Sequence, residues 1–164
     1  MSIKTCFKCR KIQNLITMKI ISKNSKAFFD FEILEKHIAG IILAGAEVKS
    51  VRANLVNLKG SYVSITKDQE VFIENMHISP YQNTNSEGFN PTHKRKLLLK
   101  SKEIEKLSTI YNTAGQTIVP LCIGLEGKYI KVEIAVARGK KLHDKRQSIK
   151  KRDLDREMKK INTR

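Results

Sequence analysis

The sequence predicts a mainly β domain, a small closed or partly closed barrel of about six short strands with one to three short helices and a basic tail. Segments rich in Val, Ile, Phe and Tyr recur between turn residues, as in proteins built of short strands. Only one long segment has helical periodicity. An open sheet of such strands would leave its edges unpaired, which favours closure.

The N-terminal half supplies most of the predicted strands. Residues 27–33 are aromatic and partly alternating, which predicts a half-buried strand, and residues 38–43 predict a second one. Residues 47–52 lack turn formers and predict a short helix. Residues 61–66 and 70–73 are apolar runs on either side of a polar turn, a pattern typical of a hairpin.

The C-terminal half begins with a loop at residues 80–93, which contain two of the three prolines. Ser101 is placed to cap a helix that ends before Gly115. Residues 117–123 and 128–137 predict the last two strands. In the second of these, an apolar face alternates with an outward face made of Tyr129, Lys131 and Glu133.

The formal net charge of +16, from 32 Lys and Arg against 16 Asp and Glu, is distributed unevenly. Residues 1–29 contain seven bases and no acid, and residues 138–164 contain twelve bases and four acids. This charge indicates a polyanionic partner, either nucleic acid or an acidic membrane surface. A membrane span is excluded because the longest uncharged apolar run, residues 38–46, has nine residues, whereas a spanning helix needs roughly 20.

The same pattern divides the chain into three parts. Residues 1–19 form a basic N-terminal extension without regular structure, residues 20–137 form the folded domain, and residues 138–164 form a basic tail. The extension is a poor match to an organelle transit peptide, and Met18 is an alternative start of the native protein.

The three cysteines are Cys6, Cys9 and Cys122. An odd number without a hydrophobic leader favours a reducing compartment, so we expect a cytoplasmic protein. Cys6 and Cys9 have the spacing of half a zinc site, but no second pair follows, and we expect no bound metal. Cys122 lies in an apolar run and is expected to be buried.

An enzyme would have to use the four histidines or the scattered acids, and none of these residues forms a known catalytic motif. We therefore expect a binding protein without a cofactor, while a nuclease with paired histidines remains an alternative. The histidines are His37, His77, His93 and His143.

The tail contains a narrow apolar stripe, Leu154, Met158 and Ile161, on an otherwise charged segment in which Asp144 or Ser148 is placed to start a helix. Such a stripe is too thin to hold a helix by itself. The tail is thus predicted to be disordered in free solution and to become helical where RNA neutralises its charge.

Several motifs occur in a characteristic order: EVKS at 47–50, HISPY at 77–81, RKLLL at 95–99, and GKK at 139–141 followed by HDKR at 143–146. From about Ile20 to the C-terminus, the sequence resembles the SsrA-binding proteins, also called small protein B or SmpB. The resemblance implies a barrel of the oligonucleotide-binding type. It also implies a monomeric adaptor that binds the tRNA-like domain of transfer-messenger RNA and delivers it to stalled ribosomes for trans-translation and release of non-stop complexes.

Matching positions in that family imply contacts to the tRNA-like domain for Asn24, by a hydrogen bond, for Leu98, by apolar contact, and for Lys131, by phosphate charge. The tail is implied to enter the empty message channel near the decoding centre, with His143 stacked on a base and the lysines and arginine on the backbone. The implied ribosome-binding residues are Lys140, Lys141, His143, Asp144, Lys145, Arg146, Leu154, Met158 and Ile161.

One position departs from the family pattern. Ile38 stands where the family usually has an acidic residue that contacts RNA, so either Glu35 or Glu32 substitutes for it or that contact is absent. Two alternatives to the adaptor also remain: a general ribosomal or assembly protein, and an RNA-processing enzyme.

Overall fold

The computed structural model describes residues 18–81 and 90–141 together with Met158. The two continuous ranges form nine strands and three helices, so the protein is mainly β, as predicted. In chain order these elements are β1 (Lys19–Lys23), α1 (Ser25–Asp30), β2 (Phe31–Ile41), α2 (Gly45–Arg52), β3 (Val56–Asn57), β4 (Tyr62–Ile65), β5 (Val71–Glu74), β6 (His77–Ile78), β7 (Arg95–Leu98), α3 (Ser101–Tyr111), β8 (Gln116–Glu126) and β9 (Tyr129–Gly139).

Seven strands form one antiparallel sheet in the order β1-β8-β9-β2-β7-β5-β4, and β3 pairs with β6 separately. β4 packs beside β8, but in the described part of the chain no hydrogen-bonded ladder joins the two ends of the sheet. The prediction of a closed barrel of about six strands is therefore wrong in both strand number and closure. The end strands β1 and β4 have only five and four residues, and short edges remove much of the need for closure.

The first predicted strand is also wrong. Within residues 27–33, α1 occupies the first part and β2 begins only at Phe31. The helix forms because the Asn24 side chain accepts a hydrogen bond from the Ala27 amide at 3.1 Å, and because Ala27 is buried. β2 then runs on to Ile41, so the segment predicted as a second strand at 38–43 is mostly the end of β2.

The other predicted helices and strands are confirmed, whereas most of the loop predicted at residues 80–93 lies outside the described residues. α2 covers the short helix, β4 and β5 form the hairpin, and β8 and β9 are the last two strands. α3 is also present, but Lys100 rather than Ser101 is its N-cap, and the Lys100 amide donates to the Glu103 carboxylate at 3.1 Å. The strands β3, β6 and β7 were not predicted; β3 and β6 have only two residues each, too few for sequence periodicity to reveal.

The main core lies against one face of the sheet and is covered by α3 through the buried Leu107. A second, smaller cluster covers the other face of β8 and β9 at the end near α1. Its fully buried members are Ala27, Val119, Leu121, Ala135 and Ala137. β9 is therefore buried on both faces along much of its length.

Double burial changes the environment of Glu133, which the sequence places on an outward face but which is 3% exposed. Its carboxylate accepts a hydrogen bond from the Cys122 thiol at 3.2 Å and lies 3.2 Å from the Lys36 ammonium. Cys122 is buried, as predicted. Burial, together with the hydrogen bond to Glu133, raises the pKa of the Cys122 thiol to about 12, so the thiol stays protonated at neutral pH.

A buried ion pair joins α2 to β7. The Arg95 guanidinium donates to the Glu47 carboxylate, with Nε at 2.7 Å, and both side chains are almost fully buried. The remaining donors of Arg95 bond backbone carbonyls of Met76, His93 and Pro91 at 2.7 to 3.1 Å. Glu47 also accepts from the Ala44 amide at the start of α2. The pair therefore fixes the end of the 90–93 segment to the domain.

Candidate RNA-binding surface

Two of the three residues predicted to contact RNA lie on one face of the sheet, on either side of Gly40. Leu98 on β7 and Lys131 on β9 are both register partners of Gly40 on β2. Partners in an antiparallel ladder have side chains on the same face, and two strand spacings separate these positions by roughly 10 Å. We call this face, opposite the main core, the outer face. Leu98 is 53% exposed on it.

Gly40 allows this arrangement because it leaves room for Leu98. A Cβ atom at position 40 would lie 3.3 Å from the Leu98 Cβ, closer than ordinary van der Waals contact. The leucine side chain thus leans over the glycine in the direction of Lys131. An apolar side chain and a lysine thus lie on the same face of the sheet, two strands apart, and the lysine ammonium is directed to Glu126 on β8.

Asn24 lies elsewhere and is 5% exposed. Its side-chain amide donates to the Leu58 carbonyl at 2.9 Å and to the Pro120 carbonyl at 3.0 Å. Its oxygen accepts from Ala27 at the start of α1. Both amide hydrogens are therefore used to hold α1 against the domain, and an RNA contact of Asn24 remains a prediction.

Lys131 has a partner on its own hairpin. Its ammonium group forms an ion pair with the Glu126 carboxylate, and both side chains are about one-third exposed, at 34% and 38%. Glu126 is the register partner of Tyr129, which places it diagonally across from Lys131. A phosphate that approaches Lys131 must therefore compete with, or share, the Glu126 carboxylate.

We expect Glu126→Gln to strengthen RNA binding several-fold at low salt, because it frees the Lys131 ammonium for phosphate. Each additional phosphate contact steepens the plot of log K against log salt by about 0.7 to 0.9, and a salt titration measures this slope. Glu105→Gln on α3 makes the same change in net charge and is the control. An equal gain in both variants would show that total charge, and not the release of Lys131, is responsible.

The outer face also shows what surrounds Ile38. Its register partner on β9 is Glu133, so a carboxylate lies directly across from it. Glu35 is the register partner of Val136, which belongs to the main core, and Glu32 is the partner of Arg138, two residues further on. Both candidates for the acidic contact thus lie on the other face of β2. Sequence reasoning missed Glu133 because it appeared to be an ordinary solvent-facing acid.

The described part of the tail follows β9 and is hydrogen-bonded to the C-terminal end of α1. The Lys140 amide donates to the Asp30 carbonyl at 2.9 Å, and its ammonium donates to the Phe28 carbonyl at 3.0 Å. A cation is favourable there because the carbonyls at a helix C-terminus carry partial negative charge. Lys141 is exposed, and Met158 is helical and 60% exposed. The other predicted ribosome contacts lie outside the described residues: His143, Asp144, Lys145, Arg146, Leu154 and Ile161.

The described histidines do not form a set. His37 is on β2, His77 is on β6, and His93 precedes β7, where its Nδ1 lies 2.8 Å from the Asn90 carbonyl. Among residues 18–81 and 90–141, no three His, Cys, Asp or Glu side chains are grouped so that they could hold a metal ion. Cys6, Cys9 and His143 lie outside the described residues. None of the helices in the described ranges is both long and apolar enough to cross a membrane.

Comparison with known proteins identifies the family. The model of the SmpB protein family matches residues 21–164. The chain belongs to the SmpB family. It is similar to the SsrA-binding protein of Nitratiruptor sp., with 52% identity over 143 residues covering 85% of this chain and 94% of the relative. It is also similar to the SsrA-binding protein of Wolinella succinogenes, with 51% identity over 144 residues covering 86% and 94%.

Comparison with solved structures also indicates the SmpB family. A chain from a study of tmRNA and SmpB in the bacterial ribosome matches this one with a TM-score of 0.63 and 40% sequence identity. The match covers 77% of this chain and 86% of the solved chain. The likeness to the SmpB family therefore extends from sequence to fold.

Two of the motifs that indicate the SmpB family meet in the core. Glu47 belongs to EVKS and Arg95 to RKLLL, and together they form the buried ion pair. In RKLLL, Leu98 is exposed on the outer face of β7, while Leu97 is buried. These motifs therefore hold the SmpB domain together as well as supplying its candidate RNA contacts.

Proposed function

We propose that the protein is an adaptor that binds the tRNA-like domain of transfer-messenger RNA and delivers it to stalled ribosomes for trans-translation and release of non-stop complexes. Membership of the SmpB family supports this function and argues against an enzyme. The relatives are named SsrA-binding proteins, and the solved chain comes from a study of tmRNA and SmpB in the bacterial ribosome. The structural observation that supports it is the position of Leu98 and Lys131 on either side of Gly40.

The chemistry of this surface suits folded RNA. An ammonium group binds phosphate without reading sequence, and an exposed leucine gives an apolar contact to a ribose or an unstacked base. A strand platform holds both groups in place, so little conformational entropy is lost on binding. The curved sheet, with β4 beside β8, serves in this proposal as a surface of the oligonucleotide-binding type.

The tail has a separate role in this proposal. Of the predicted tail 138–164, the first two residues belong to β9 and Lys140 is bonded to α1. In this proposal the residues that follow are disordered in free solution and form a helix in the vacant message channel of the ribosome, where RNA phosphates neutralise their charge. His143 stacks on a base near the decoding centre, and Lys145 and Arg146 bind the RNA backbone. The apolar side of the helix is formed by Leu154, Met158 and Ile161. The adaptor acts as a monomer in the cytoplasm.

A binding assay at fixed physiological salt tests the RNA preference. We expect the protein to bind the tRNA-like domain more tightly than duplex RNA of equal length, and the ratio of the two Kd values is the readout. Lys131→Ala should weaken binding of the tRNA-like domain by about 1–3 kcal/mol, because a charged contact to phosphate is lost. Lys106→Ala on α3 removes the same charge from a different surface and is the control.

The outcomes separate the proposed function from its alternatives. Equal affinity for duplex RNA would indicate a general ribosomal or assembly protein. Cleavage of labelled RNA by the purified protein, abolished by substitution of a histidine, would indicate a processing enzyme.

A further inference from the structure

Beyond Lys131, the outer face continues to Tyr129, the first residue of β9. At 76% exposed, it is the most exposed of the large apolar and aromatic side chains that the structure describes. It follows the β8–β9 turn, in which Gly127 has a positive φ of 60°. The turn geometry thus depends on the glycine and does not require an aromatic ring at position 129.

The strand register places Tyr129 in the same patch as the candidate RNA contacts. Tyr129 and Lys131 are two positions apart on β9, so their side chains share a face. Gly40 and Lys131 are the last pair of the β2–β9 ladder, and Ile42 follows Gly40 by two residues, just beyond the end of β2. Ile42 is 51% exposed, and its amide bonds the Lys96 carbonyl of the strand that also contains Leu98.

The charged groups around this patch indicate which class of partner binds there. Lys128 precedes the tyrosine, and the Arg52 guanidinium bonds the Lys128 carbonyl at 3.4 Å, so a second cation lies at the turn. Lys131 lies two positions along the strand, and its ammonium is paired with Glu126, the register partner of the tyrosine. An exposed aromatic ring near cationic side chains is suited to RNA, whose bases stack on the ring while phosphates meet the ammonium and guanidinium groups. An apolar protein partner would bury these cations and the Lys131–Glu126 ion pair away from water.

We propose that Tyr129 is a stacking platform for an unpaired nucleobase of the bound RNA, and that Ile42 and Leu98 form the apolar flank on which that nucleotide rests. This inference depends on the proposed RNA-binding function and extends its site by one nucleotide. Stacking does not depend on base identity, because every base has a π-face. The subsite therefore adds affinity for a splayed or loop nucleotide and does not select sequence.

Tryptophan fluorescence provides a direct test, because the chain contains no tryptophan. In the full-length protein, Tyr129→Trp places a single indole at the subsite, and Tyr111→Trp places one on α3, at a tyrosine that is 42% exposed. Titration with the tRNA-like domain should quench the first indole and leave the second almost unchanged. Titration with duplex RNA of equal length should quench neither, because its bases are paired.

Affinity gives the second readout. Tyr129→Ala is expected to raise the Kd for the tRNA-like domain about ten-fold, Tyr129→Phe to leave it within two-fold, and Tyr111→Ala to leave it unchanged. Thermal unfolding of each variant checks that the domain is intact. If wild-type protein binds the RNA while Tyr129→Ala binds equally well, or the indole at 129 is not quenched, the stacking subsite is wrong. If the wild-type protein itself does not prefer this RNA, the proposed function fails, and the subsite fails with it.

Discussion

Replacement of Arg95 by methionine is expected to lower the free energy of unfolding by about 3–5 kcal/mol. Methionine fills a similar volume but removes the arginine counter-ion of the Glu47 carboxylate, which is 1% exposed and keeps, among the described residues, only the Ala44 amide and, at 3.6 Å, the His93 Nε2 as partners. The same change removes the donors to the carbonyls of Met76, His93 and Pro91. The loss therefore combines a poorly compensated buried charge with unsatisfied backbone acceptors. Urea unfolding followed by circular dichroism measures it.

Two further variants identify the cause. In the double variant Arg95→Met with Glu47→Leu, neither position of the former ion pair carries a charge, so we expect much of the lost stability to return. Lys96→Met, on the neighbouring residue, breaks an ion pair with Glu70 in which both side chains are about 40% exposed, and should cost less than about 1 kcal/mol. A double variant no more stable than Arg95→Met would show that the backbone contacts, and not the ion pair, account for the loss.

Truncation after Leu142 is expected to leave binding of the tRNA-like domain within two-fold of the full chain and to abolish peptide tagging on stalled ribosomes. The candidate RNA surface is at the start of β9, whereas the tail departs from its end. From Lys131 to Lys140, nine residues of strand span about 30 Å. The truncated chain keeps both hydrogen bonds of Lys140 to the end of α1, so the domain itself is unchanged.

The two activities are measured on the same preparation, as RNA affinity and as tag addition in a reconstituted translation reaction. Replacing residues 143–164 by an uncharged Gly-Ser segment of equal length is the matched control, because it keeps chain length while removing charge and stripe. We expect it to behave as the truncation does. A parallel loss of RNA affinity and tagging on truncation would contradict the division between sheet and tail.

Local patterns were sufficient for the elements whose stability is local. The β4–β5 hairpin, α3 and the β8–β9 pair could be predicted because alternation, helical spacing and turn residues agree in each of them. The segment around Phe28 misled the prediction, because aromatic residues favour strands in general, whereas here the Asn24 cap and the burial of Ala27 hold a helix. Strand propensity was outweighed by one cap and one packing contact.

From the sequence, the candidate site could be predicted only as separate residues. Resemblance to the SmpB family indicated Leu98 and Lys131, but their proximity comes from the pairing of three strands far apart in sequence. The ion pair of Glu126 with Lys131 depends on the register of the β8–β9 hairpin. Tyr129 was assigned to the outward face, and its significance emerged only with the exposure of its own side chain and of Ile42, just beyond the end of β2.

The attachment of Lys140 to the end of α1 makes the rest of the chain a tether with a defined origin. The 23 residues from 142 to 164 would extend about 35 Å as a continuous helix and at most about 80 Å when fully stretched. Any group that these residues touch while the sheet holds its RNA must therefore lie within that radius of α1. Ordering the tether into a helix more than halves its maximum reach, which narrows the distance at which the sheet and the tail can hold their two partners at the same time.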